Sequence, residues 1–128
     1  MGLDQNAYAI SKAEAALLDS QEYLDGELAI ESEESLMYWR KHADLNQWMT
    51  DLYEKKGGKG SFNGQNLFLE QQDLLDLEDA VIEDALPHGE GFFWGESQPE
   101  DKGRTLGFIE AALKAIKEGK AVFYNCSW

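Results

Sequence analysis

Cysteine is almost missing from this chain of 128 residues: Cys126 stands alone. One thiol permits no disulfide within the chain and no multi-cysteine zinc site, which suits a reducing compartment. Proline and histidine occur twice each, at Pro87, Pro99, His42 and His88. Cations are scarce as well. Eleven Lys and Arg stand against twenty-five Asp and Glu, for a net charge of −14. That balance excludes a broad basic face for gripping nucleic-acid phosphates. No apolar run approaches the roughly 18 residues that span a membrane. No basic n-region leads into an apolar stretch after Met1, so no signal peptide is expected. Met1-Gly2 begins like a myristoylation site, but Asn6 sits where Ser or Thr is needed. No membrane contact is expected, and the cytoplasm is the expected location.

What is present is enough to build a core. The chain is 43% hydrophobic and 12% aromatic, and its length fits one domain. The acid is uneven. Residues 1–37 hold nine carboxylates and one base, Lys12, a net of −8; the rest hold sixteen acids and ten bases, a net of −6. We expect an acidic N-terminal segment or arm over 1–37 and a single compact domain over 38–128. Such acidity either keeps a surface solvated or docks on a basic protein, as a nucleic-acid mimic does.

The densest segment runs from Tyr38 to Met49 and holds Trp39, Trp48 and the basic cluster Arg40-Lys41-His42. At about 100° per residue it maps to a helix reaching about Lys56, with Tyr38, Leu45, Met49, Leu52 and Tyr53 in one apolar arc. Lys41, His42 and Asn46 fall inside that arc or at its edge. Polar groups there need partners, because unsatisfied burial costs about 1–3 kcal/mol each. Either they line a half-buried pocket for an anion or polar ligand, or Lys41 snorkels outward while His42 and Asn46 bond nearby backbone.

Elsewhere the pattern predicts a helix over 6–18 and a glycine-rich connector over 57–64. A short strand over 66–70 and a helix over 73–86 ended by Pro87 follow. A second helix starts at the capping-box spacing Ser97 to Glu100 and stops at Gly119. A strand over 121–126 closes the pattern. The connector lacks the P-loop spacing, and Gly89 to Gly95 lacks the dinucleotide fingerprint. Gly89 to Gly95 brackets three aromatics, Phe92, Phe93 and Trp94, which suit stacking or core filling. Trp128 at the C-terminus is expected to pack on the body. The expected fold is α+β and mostly helical, with three or four helices on a two- or three-stranded antiparallel sheet. The strands at 66–70 and 121–126 should pair, with Phe92 to Trp94 as a candidate third.

Three segments together resemble a family of small phage and prophage proteins: Tyr38-Trp39-Arg40-Lys41 with Trp48-Met49; Leu86-Pro87 with Gly91-Phe92-Phe93-Trp94-Gly95; and Phe123-Tyr124 with Ser127-Trp128. Order and spacing fit across 38–128. Family members often carry Asn and His where this chain has Ala43 and Asn46, so that His is missing here. The resemblance implies phage origin and the cytoplasm of a bacterial host, and it implies no particular reaction.

No catalytic constellation is evident. His42 and His88 lack a recognisable nucleophile partner, Cys126 lies in a strand, and Glu90 and Glu96 are merely neighbours of the aromatic loop. No metal site and no cofactor are expected. The expected function is a non-enzymatic phage accessory protein that binds a host protein, as an inhibitor or acidic mimic. The alternatives are a nucleotide-binding or sequestering protein, and an oligomeric structural or regulatory protein. The candidate binding residues are Tyr38, Trp39, Arg40, Lys41, His42, Asn46, Trp48, Phe92, Phe93, Trp94 and Trp128, expected as one contiguous patch.

Overall fold

The computed structural model describes residues 2–18, 26, 31–91 and 93–128, and among these it has four antiparallel strands and four helices. In chain order they are β1 (Asp4–Ser11), α1 (Lys12–Ala15), β2 (Glu34–Arg40), α2 (Ala43–Lys55), β3 (Asn66–Leu69), α3 (Gln71–Ile82), α4 (Asp101–Lys117) and β4 (Lys120–Ser127). The sheet order is β2-β1-β4-β3. The α+β class is as expected, and so is the pairing of β3 with β4, which sets Leu67 opposite Tyr124; the sheet has four strands rather than the two or three expected, so the fold is less helical than expected.

Two strands come from segments whose residues predict helix. Residues 6–11 form most of β1, where Gln5, Ala7 and Ala9 are buried and Asn6 is exposed. That two-residue period is a strand signature, hidden in the sequence because alanine also favours helices. Likewise Tyr38, Trp39 and Arg40 are strand, not helix. Trp39 points into the core while Tyr38 and Arg40 point away from it. The boundary expected at residue 37 falls inside β2, and β1 is an inner strand between β2 and β4. Residues 4–11 therefore belong to the sheet rather than to an arm. Tyr23, Leu24, Leu28 and Ile30, which extend the N-terminal apolar pattern, lie outside the described residues.

The main core lies between one sheet face and α2, α3 and α4. It takes Trp39 and Ala7 from the strands and Leu45, Met49, Leu74, Leu77, Phe108 and Ile109 from the helices. Each large side chain so buried contributes about 1.5–3 kcal/mol. Trp39 meets the Phe108 ring edge-on at 5.2 Å. The 57–64 connector is anchored rather than loose. Phe62 is 3% exposed, stacked between Tyr53 at 4.7 Å and Tyr124 at 6.0 Å. On the other sheet face, Ile10, Ala121 and Phe123 form a smaller cluster with Tyr8, Ala15 and Leu18.

The expected helix over 73–86 stops earlier, at Ile82, and Asp84 takes a left-handed φ of 53°. No strand forms at Phe93 and Trp94; the segment turns, with the Trp94 amide bonded to the Gly91 carbonyl at 3.1 Å. Among the described residues no helix is long and apolar enough to cross a membrane.

Candidate functional site

The polarity change at residues 40–42 organises everything around it. β2 ends at Arg40, Lys41 turns with φ of 60°, and His42 starts α2. A non-glycine residue in that region is under steric strain, so the surroundings must hold it. They do: the Lys41 amide bonds the Leu3 carbonyl at 2.9 Å, and the Leu3 amide bonds the Phe93 carbonyl at 3.1 Å. Phe93 is itself left-handed, with φ of 69°. The Lys41 stem lies over Gly2 and Gly95, where an added Cβ would meet it at about 2.9 Å.

This turn sends neighbouring side chains in opposite directions. Tyr38 (44% exposed), Arg40, Lys41 and Phe93 (43%) gather on the outside at the end of β2. There the Tyr38 hydroxyl donates to Asp4 Oδ1 at 2.5 Å, and Arg40 bonds the same oxygen at 2.8 Å. The Tyr38 hydroxyl, and secondarily the Arg40 charge, hold the Asp4 carboxyl below its ordinary range. Lys41 makes no ion pair among the described residues.

His42 and Asn46 go inward, as their place in the apolar arc implies. The His42 amide donates to Gln5 Oε1 at 2.8 Å, and Gln5 Nε2 donates to the His42 carbonyl at 3.0 Å. Gln5 Nε2 also donates to the Tyr124 hydroxyl at 2.8 Å, which donates to Asn46 Oδ1 at 2.7 Å. Among the described residues two buried nitrogens, Asn46 Nδ2 and Trp94 Nε1, have no hydrogen-bond partner. Beside Asn46 the Cys126 thiol is buried, which pushes its pKa up to about 12 while Asn46 opposes the shift. This is an inert, packed thiol.

His42 is 4% exposed and lines a cavity of about 370 Å³. Its Nδ1 lies 2.6 Å from Ser97 Oγ and 3.7 Å from Asp101 Oδ2. Burial lowers the His42 pKa below 6.5, against the pull of Asp101 and then Asp44. Ser97 is absent from the candidate residues, though its capping propensity is visible in sequence. It does cap a helix, but not its own: its Oγ accepts the Asp44 amide of α2 at 3.0 Å. α4 starts at Asp101 instead, whose Oδ2 accepts the Gln98 amide at 2.7 Å. Asp44 Oδ1 accepts the Gly89 amide at 2.9 Å, so the 87–99 loop is tied to the start of α2. Gln5, Tyr124 and Asp101 also escape sequence reasoning, because each meets His42 or Asn46 only through the fold.

The candidate residues thus divide. Trp39 is 1% and Trp94 6% exposed, so neither ring offers a face to a ligand. Trp94 packs edge-on against Trp128 at 5.2 Å, and Asn63 holds the Trp128 backbone on both sides, at 3.1 Å each. The expected packing of Trp128 is therefore observed. Trp48 lines a separate groove with Asp73 and Pro87. His42 and Asn46 are interior, and Phe92 lies outside the described residues. Of the described candidates, Tyr38, Arg40, Lys41 and Phe93 are exposed, and the Leu3 backbone links Phe93 to Lys41 at the end of β2. His88 and Glu90, 3.2 Å apart, are both exposed, and no group of metal-binding side chains occurs among the described residues.

No protein-family model, no curated protein and no solved structure matches this chain.

Proposed function

We propose that this chain is a non-enzymatic phage accessory protein that binds a protein of its bacterial host, through the exposed end of β2. The observation that carries this is the concentration there of two exposed aromatics, Tyr38 and Phe93, around Arg40 and Lys41. Aromatics and Arg are the residue types that anchor protein interfaces. Of the three described non-glycine residues with a left-handed φ, two, Lys41 and Phe93, shape this same spot. Strain of that kind persists where the fold over-determines it and often marks a functional surface. Among the described residues β2 is moreover an outer strand, paired with β1 alone, and an outer strand is the kind of element on which a partner strand can pair.

The acidic remainder of the surface is suited to a basic partner, and the cation cluster then fixes its register. A nucleotide reading is less well supported, since Trp39 and Trp94 cannot stack on a base. The test is capture of a stoichiometric partner from bacterial lysate, followed by reconstitution with that partner purified. Tyr38→Ser/Phe93→Asn should abolish the complex while the melting temperature stays near that of the parent chain. A complex that survives the double substitution would remove the proposal. Deleting residues 1–37 is not a usable test, because it takes out β1 and most of β2.

A further inference from the structure

The cavity lined by His42 contains no β2 residue and has its own chemistry. We propose that it binds a small primary ammonium ion carrying a short apolar stem. Three observations carry this. First, the His42 side chain is almost fully buried and lines the cavity, and among the described residues its ring makes a hydrogen bond only through Nδ1, to Ser97. The Asp101 carboxylate lies 3.7 Å from Nδ1, on the opposite edge of the ring. Its negative potential favours the proton on Nδ1, which leaves Nε2 as an acceptor at the cavity wall.

Second, the lining is acceptor-rich. Asp44 and Asp84 outnumber Lys102, and Asp84 already pairs with Lys102 at 3.0 Å. Asp101 adds a third carboxylate behind the ring. The start of α2 does not make this an anion site, because the His42 and Asp44 amides are taken by Gln5 and Ser97. Third, the remaining wall is apolar, from Val81, Leu86 and Pro99. A volume of about 370 Å³ is at the small end of ligand cavities. A donor-rich cationic head beside Asp44 and Nε2, with an alkyl stem along that wall, matches all three.

The test titrates the intact 15N-labelled chain with n-butylammonium chloride, and in parallel with sodium butyrate and 1-butanol at matched ionic strength. The proposal expects saturable shifts of the Asp44, Gly89 and Gln98 amides with butylammonium, and binding of butyrate weaker by about tenfold or more. Asp44→Asn keeps an acceptor for Gly89 but removes the charge, and should weaken butylammonium by about tenfold. Lys102→Gln, at an exposed position, should tighten it. A long-range 15N spectrum should show the His42 proton on Nδ1. Equal binding of butyrate would overturn the proposal. So would shifts spread without saturation over the acidic surface, weaker binding in Lys102→Gln, or a proton found on Nε2.

Discussion

Tyr124→Phe removes a single oxygen from the middle of the interior hydrogen-bond network. The Tyr124 hydroxyl accepts from Gln5 Nε2 and donates to Asn46 Oδ1, and both Tyr124 and Asn46 are 0% exposed. Gln5 Nε2 keeps its bond to the His42 carbonyl. Asn46 fares worse, because its Nδ2 already lacks a partner among the described residues. Without the hydroxyl its buried Oδ1 loses the Tyr124 bond and has no replacement donor in the described interior. One lost bond of about 1 kcal/mol plus an orphaned acceptor at about 1–3 kcal/mol predicts a loss of about 2–4 kcal/mol. An unfolding entropy of about 2.1 cal/mol/K per residue over 128 residues is about 0.27 kcal/mol/K, so Tm should fall by about 7–15 °C. Urea denaturation and calorimetry measure both quantities. The double variant Tyr124→Phe/Asn46→Leu should cost clearly less than the sum of the single variants, because it removes both partners together. A loss under about 1 kcal/mol for Tyr124→Phe, or strict additivity in the cycle, would refute the reasoning.

Stability should also depend on the His42 charge. Burial lowers its pKa in the folded chain below the 6.5 of a free ring, while Asp101 and Asp44 oppose this. The unfolded chain therefore takes up the proton first, and stability present above pH 6.5 should decline as pH falls through 6.5 toward the folded pKa. Urea midpoints measured from pH 8 down to pH 5 should show this slope, and His42→Gln should flatten it. Gly89→Ala places a Cβ about 2.1 Å from the Ala43 carbonyl oxygen. That clash with backbone should destabilise the chain by about 1–3 kcal/mol, read from the same urea curves. The Cys126 thiol, raised to about 12 by burial, should react with a thiol reagent at pH 8 only at the rate of unfolding. Prompt labelling of the folded chain would contradict the packed position.

Legibility from sequence followed the length and purity of the periodic signal. α3 and α4 carry long apolar stripes, so their presence was evident and only their ends moved. α3 ends at Ile82 and not at Pro87, because Asp84 turns left-handed before the proline is reached. β3 and β4 are short apolar runs that pair as expected. β1 was obscured by its alanines, which mark a helix in local propensity but here are buried positions of an inner strand. β2 was obscured by sharing an apolar arc with the helix that follows it. Phe62 sits alone between glycines, so nothing local revealed that it would fill the core between Tyr53 and Tyr124. Periodicity reports one element at a time, whereas the Ser97–His42–Asp101 cluster joins residues as far as 59 positions apart.

The segment 38–48 shows why a strong local signal can be correct about importance and wrong about form. Its polar residues in the apolar arc did demand partners, and His42 and Asn46 have them in Ser97, Gln5 and Tyr124. Yet the demand is met because one residue, Lys41, leaves the strand in a left-handed turn. Had the helix begun at Tyr38, Trp39 and His42 would lie on one continuous helical stripe, and Arg40 could not reach Asp4. The turn lets Trp39 enter the core from the sheet and His42 enter it from the helix, while Lys41 between them stays outside over Gly2 and Gly95. The two surfaces proposed for binding are the two products of that division. Lys41→Gly, which relieves the strain and removes the side chain, should preserve the His42 cavity while weakening partner capture. Loss of butylammonium binding in that variant would show that the Lys41 side chain, and not the turn alone, supports the cavity.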